Sequence, residues 1–274
     1  MSEQAAELDP KALAQRNFRT PDSCVGVLDI IERYASDPPE VTRTLLGAVR
    51  PERPDGRICE LGFGTGWLLE EMRSAFPDAR LYGLDMSPGM TSHARKLYGS
   101  AVALALGDME QLPFATASFD VVVTCWTLYF MRDIDKTLAE LKRMLRPHGR
   151  LIAATNAPDH TKELDELALA ARRAVLDDGG EPDVSSRFDL ESGLPYMRRH
   201  FQRVETREWH GWMVLPDVAP LVRLWELQYA PDLAGEARER VRAEFVRRAE
   251  AWLARNREIR IRRHGGVFVG FKQS

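Results

Sequence analysis

The stretch ICELGFGTGWLLEEM, residues 58–72, places one carboxylate, Glu60, just ahead of three glycines at every second position. Gly62, Gly64 and Gly66 would let the backbone turn sharply and let a ligand approach without meeting a Cβ. Glu60, at the mouth of that turn, would repel a pyrophosphate and welcome an ammonium group. A dinucleotide fingerprint needs G-x-G-x-x-G, so that its pyrophosphate can rest on a helix N-terminus. Here the third glycine comes one residue early, and bulky Trp67 stands where strand and helix must pack.

Three further segments carry matching chemistry. Asp85, in LYGLDMSPGM, follows Gly66 by 19 residues and can accept two hydrogen bonds from ribose hydroxyls. Alone it would be a helix N-cap candidate, as is Ser87 before Pro88. In GDMEQLPF, Asp108 can accept from the exocyclic amine of an amino-purine while Met109 packs on the ring. In FDVVVTCWTLYF, Thr124 to Tyr129 would face the reactive end of the ligand.

Each of these segments follows a short apolar run: 57–62, 79–86, 101–108 and 119–126, with a fifth run at 149–156. Helical stretches at Trp67–Ala75, Pro88–Tyr98 and Ile134–Leu145 separate them, the last ending where Pro147 and Gly149 stop a helix. Continuous apolar strands alternating with helices predict a doubly wound α/β core with a parallel sheet covered on both faces. Ligands bind such sheets beyond the carboxyl ends of the strands, where the four segments lie. Four regions are expected: a helical cap (1–55), a core (56–156), a helical insertion or lid (157–200), and the rest of the sheet (201–274) with inserted helices at 216–259. A Gly-Gly-Glu-Pro break is expected at 179–182. Gly265-Gly266 before a last apolar run suggests a hairpin or tight bend, and hence an antiparallel final strand.

Composition excludes several classes. Apolar residues at 44% and charged residues at 29% suit a soluble globular chain, and a net charge of −3 gives no basic footprint for nucleic acid. No apolar run approaches the ~20 residues of a membrane span, and the acidic start MSEQAAELD is unlike a signal peptide. Cys24, Cys59 and Cys125 are odd in number and widely spaced, against a disulfide framework or zinc site and in keeping with the cytoplasm. No metal is expected. Arginines 238, 240, 242, 247 and 248 are interleaved with glutamates, which reads as a salt-bridged helix face.

Taken in order, ELGFGTG, LDMS, GDMEQLPF and FDVVVTCWTLYFMRDIDKTLAELKRMLRPHGRLI resemble the motifs of class I S-adenosylmethionine-dependent methyltransferases, most closely the ubiquinone/menaquinone-type branch. The resemblance is strong over about 56–156, and HFQRVETREW and GGVFVGFK are similar to the family's last strands. It implies a Rossmann-like, seven-stranded, mostly parallel sheet whose last strand is antiparallel, with helical lid insertions. It implies that Glu60 and the Gly62–Gly66 turn hold the aminoacyl part of S-adenosyl-L-methionine and Asp85 the ribose. Met86, Asp108 and Met109 would surround the adenine, and Thr124 would lie near the methionine moiety. One departure is that members of the branch often carry paired histidines where this chain has Tyr129-Phe130.

The expected activity is methyl transfer to the oxygen, nitrogen or carbon of a small molecule, with neither nucleic acid nor membrane as partner. Phe18, Tyr34, Trp126, Tyr129, Trp209, His210 and Trp212 are candidate lining residues, and Tyr129, His160 and His210 are candidate bases. His148 and His264 read as structural. The alternatives are a nicotinamide-dependent oxidoreductase and a non-catalytic cofactor-binding interaction protein.

Overall fold

The computed structural model describes residues 9–178, 180 and 183–273. The acidic start up to residue 8, and residues 179, 181 and 182 of the expected 179–182 break, lie outside the described residues. Three helices come first: α1 (Pro10–Asn17), α2 (Asp22–Tyr34) and α3 (Pro38–Val49). Strands and helices then alternate as β1 (Arg57–Leu61), α4 (Trp67–Ala75), β2 (Arg80–Asp85), α5 (Pro88–Tyr98), β3 (Ala103–Leu106), β4 (Phe119–Cys125), α6 (Ile134–Met144) and β5 (Leu145–Asn156). The chain continues through α7 (Lys162–Leu176), α8 (Gly193–His200), β6 (Arg203–Leu215), α9 (Val218–Gln228), α10 (Gly235–Asn256) and β7 (Ile259–Phe271).

The seven strands form one sheet in the order β3-β2-β1-β4-β5-β7-β6. Strands β1 to β5 pair in parallel, and β7 runs antiparallel to both β5 and β6. Both faces are covered, which explains the unbroken apolar runs: Val121 and Val123 pack with α3, α4 and α5, while Val122 between them packs with α6 and α8. Local signals set the helix starts. Ser87 accepts from Met90 N–H at 3.3 Å ahead of Pro88, and Asp133 accepts from Lys136 N–H at 2.9 Å. Helix α6 ends at Met144, and Pro147-His148-Gly149 falls in an irregularity of β5 between the Leu145 and Arg150 pairings, with His148 left-handed at φ 63°.

Two expectations are corrected. Gly265-Gly266 is no bend: β7 starts at Ile259 and runs straight through it. The glycines are there for close approach, since a Cβ on Gly265 would sit 2.9 Å from the Trp209 ring and one on Gly266 2.7 Å from the Arg207 carbonyl. The antiparallel direction comes from the α9–α10 excursion, which returns the chain from the far end of β6. The 157–200 segment is also not one lid, because α7 packs against α10 whereas α8 packs on the sheet beside α6.

Strands β6 and β7 pair over thirteen residues, but β5 leaves β7 at Asn156–Gly265. The remaining ribbon carries Met213, Leu215, Ile259 and Ile261 into a separate apolar cluster with Ile30, Leu164, Trp225, Val241 and Phe245. This ribbon therefore holds the cap of α2, α7, α9 and α10 over the carboxyl edge of the sheet. Ala249 of α10 joins Val241 and Phe245 in that cluster, and on the helix's outer side Arg247 and Arg248 pair with Glu244 while Arg242 reaches Glu226 in α9. Arg263 is tied to Asp37, its Nε donating at 2.7 and 3.0 Å to a carboxylate that is 1% exposed. Arg263→Ala would leave Asp37 as an uncompensated buried charge, so a loss of about 3–5 kcal/mol is expected in chemical denaturation.

Candidate functional site

A cavity of about 1660 Å³ opens between the carboxyl ends of β1, β2 and β4 and the cap. This is where the strand order reverses, with β1 and β4 as neighbours and the chain wound outward from each.

Its floor is the glycine turn. Gly62, Gly64 and Gly66 are all left-handed, at φ 70°, 55° and 83°. A Cβ at Gly66 would lie 2.9 Å from the ring of Tyr98, whose hydroxyl donates to the Gly66 carbonyl at 2.8 Å, whereas a Cβ at Gly64 would enter open space. Gly66→Ala is therefore expected to destabilise the fold by roughly 1–3 kcal/mol, read as a lower thermal midpoint. Asp85 staples this turn to β2, one carboxylate oxygen accepting from Gly64 N–H at 2.9 Å and the other from Ser87 N–H at 2.8 Å. Burial raises its pKa against the pull of these amides.

Glu60 faces the cavity from the end of β1 and is 2% exposed. Its Oε2 is buried with no hydrogen-bond partner among the described residues; Thr91 Oγ1 shares that condition but lies away from the cavity. Burial, and then the nearby charge of Asp85, push the Glu60 carboxyl well above the usual range. A bare, buried carboxyl at a ligand-sized opening is built to meet a cation.

Met86, Asp108 and Met109 also line the cavity. Asp108 is held by Lys11 of α1, which bonds Glu110 as well at 3.0 Å, and by the Glu110 N–H at 3.0 Å. The Lys11 link, spanning 97 residues, left no signal in the sequence: it is one lysine in a polar helix. Thr124 lies within the sheet and does not line the cavity; its hydroxyl approaches the Met109 sulfur at 3.9 Å. The wall from β4 begins instead at Cys125, Trp126 and Thr127. Trp126 is left-handed at φ 53°, bonds Asn156 Oδ1 through its indole N–H at 2.8 Å, and stands between Trp67 and Trp209.

The three candidate bases separate. Tyr129 lines the cavity, with burial raising its phenol far above its ordinary value. His160 lines it too, but burial lowers its imidazole to about 3 and its Nδ1 is engaged by the His264 backbone at 2.8 and 3.1 Å. His210 is displaced from the site: side chains alternate along β6, Trp209 turns inward, and His210 faces out with its side chain 69% exposed. Of the other candidates for the lining, Phe18 belongs to it, while Tyr34 and Trp212 do not; Trp212 lies under Arg260 and Arg262 on the outer face.

The wall formed by the cap holds a pair that sequence reasoning missed. Asp165 of α7 accepts from the Tyr229 hydroxyl, and both line the cavity. Burial raises Asp165 to about 6, the range in which a carboxylate is an effective proton acceptor near neutrality. In sequence Asp165 is one more acid in the first turn of a helix, and Tyr229 is 64 residues away.

Residues 59–153 match the family model described as a methyltransferase domain. The chain is 38% identical to a malonyl-[acyl-carrier protein] O-methyltransferase of Hahella chejuensis over 46% of each chain. It is 35% identical to a demethylmenaquinone methyltransferase of Symbiobacterium thermophilum over 36% of this chain and 42% of that one. The chain thus spans about half the length of the curated relatives it matches. A solved structure of Haemonchus contortus phosphoethanolamine N-methyltransferase 2 with S-adenosyl-L-methionine superposes with a TM-score of 0.58 at 15% identity, covering 98% of this chain and 61% of that one. At that identity the likeness shows the fold. The matched residues include the glycine turn, Glu60, Asp85 and Asp108, and the match ends at residue 153, before Asp165 and Tyr229. Among the described residues no helix is long and apolar enough to cross a membrane.

Proposed function

We propose that this chain transfers a methyl group from S-adenosyl-L-methionine to a small-molecule acceptor. The observation that carries the reading is the buried, unpartnered Glu60 oxygen facing the cavity beside the glycine turn. An aminoacyl ammonium would give it a partner, whereas a pyrophosphate would be repelled. Asp85 would receive the ribose hydroxyls on its remaining lone pairs. Met86 and Met109 would flank the adenine, and Asp108, oriented by Lys11, would meet its amine. When bound, the cofactor supplies an electrophilic methyl group on a sulfonium centre.

The chain's own part is alignment and proton handling. Trp126, Tyr129 and Trp209 would exclude water and present aromatic faces to the positive charge. The Asp165 carboxylate would take the proton that a hydroxyl or amine acceptor releases, and the Tyr229 hydroxyl would steady the resulting pair. Of the first three candidate bases, Tyr129 keeps a place in the cavity wall, as a hydrogen-bond donor. The relatives' names point to acceptors other than nucleic acid, and the mixed apolar and polar acceptor wall suits a small molecule or the small group borne by a carrier.

Calorimetry with S-adenosylhomocysteine and with NAD tests the cofactor. Homocysteine-cofactor binding without NAD binding is expected, and the reverse overturns the reading. Labelled cofactor incubated with cell extract, followed by mass identification of labelled small molecules, then identifies the acceptor.

A further inference from the structure

We propose that Glu208, His210 and His264 form a binding site for a divalent transition metal of the zinc class on the outer face of the β6–β7 ribbon, a site separate from the methyltransferase cavity. Glu208 and His210 are two apart on the edge strand β6 and so share a face, and His264 is the direct cross-strand partner of His210. Their potential ligand atoms all lie within 4.8 Å of one another. His264 Nε2 is 3.2 Å and His210 Nε2 4.0 Å from Glu208 Oε2, and the two imidazole rings lie 4.1 Å apart at their centres. A tetrahedral ion with bonds of ~2.0–2.1 Å to nitrogen sets its ligands roughly 3.3 Å apart, so small rotations of exposed side chains suffice.

The support for this cluster distinguishes it from a chance surface grouping. Asp159 Oδ1 lies 2.6 Å from His264 Nδ1, which directs the Nε2 of that ring toward Glu208 and His210. The other Asp159 oxygen is held at 2.7 Å by Arg262. A carboxylate behind a histidine, itself fixed by a cation, is the outer-sphere arrangement that orients metal-binding imidazoles. Two imidazoles and one carboxylate leave a fourth position for water and favour zinc, nickel or copper over calcium or magnesium. The site would also fasten the 157–161 turn to β7, since the His264 carbonyl already accepts from Ala157 N–H at 3.1 Å.

The test uses untagged, chelator-treated protein titrated with zinc chloride in a calorimeter. One equivalent is expected to bind the wild type. His210→Ala, which removes an exposed ring and touches no core, is expected to weaken binding at least about 10-fold, and Asp159→Asn by about 10–100-fold. Circular dichroism of each variant reports whether the fold is kept. Failure of the wild type to bind zinc, or a smaller loss than about 10-fold in His210→Ala, overturns the site. Neither result bears on the proposed methyl transfer, which calorimetry with S-adenosylhomocysteine reads separately.

Discussion

Glu60→Gln is expected to weaken S-adenosylhomocysteine binding by about 100-fold or more while leaving the protein as stable as the wild type or more so at pH 8. The two effects have one cause. Glu60 is buried without a partner, and burial together with Asp85 raises its carboxyl well above the ordinary value. A folded-state pKa above the unfolded one means that stability is fully present below the unfolded pKa. It is lost as pH rises through the folded pKa, because the folded chain then has to carry a desolvated charge. Glutamine removes that cost. It also removes the charge proposed to meet an incoming ammonium, and losing one member of a buried charged pair costs about 2–5 kcal/mol of binding. Binding to the wild type should release a proton, since Glu60 must ionise to pair. Calorimetry in buffers of different ionisation enthalpy measures that release, and affinity should rise with pH. Tight, proton-neutral binding by Glu60→Gln would sink the assignment.

Asp165→Asn is expected to lower kcat by about 100-fold or more at pH 7.5, with homocysteine-cofactor affinity unchanged. The wild-type rate should climb through about pH 6, where burial has moved the Asp165 carboxyl, and this limb should vanish in the variant. Stability runs the other way: the Asp165 contribution is complete below its unfolded pKa near 3.8 and declines as pH rises to about 6. The asparagine variant should therefore be the more stable of the two at pH 8, by an amount that solvent screening at this exposed residue keeps small. Tyr229→Phe should lower kcat less, because it removes the donor to Asp165 and leaves the carboxylate. An unchanged rate in Asp165→Asn would remove this pair from the chemistry.

That Glu60, the glycine turn, Asp85 and Asp108 share one edge of the sheet was legible in the residues because the constraints there are local. Glu60 and the glycine turn are set by the end of one strand and the start of one helix, seven residues in all. Asp85 and Asp108 come at the ends of the next two strands, and in a parallel α/β sheet all strand ends converge on one edge whatever the details of packing. The early third glycine carries discriminating weight for the same reason, since backbone angles are written residue by residue.

What the sequence could not reveal depends on contacts between distant segments. Lys11 meets Asp108 across 97 residues, Tyr229 meets Asp165 across 64, and His264 meets Glu208 across 56. Such pairs leave no periodicity to read, because each partner sits in an ordinary helix or strand pattern of its own. The same limit explains His210 and Gly265-Gly266. Which face of β6 turns inward is decided by Trp209 packing into the gap that Gly265 leaves, a cross-strand fit. The residues alone determined the sheet, its carboxyl edge and the cation-seeking turn. Only the tertiary structure decided which side chains close over that turn, because burial and proximity, which raise the carboxyls of Asp165 and Glu60, belong to the folded chain.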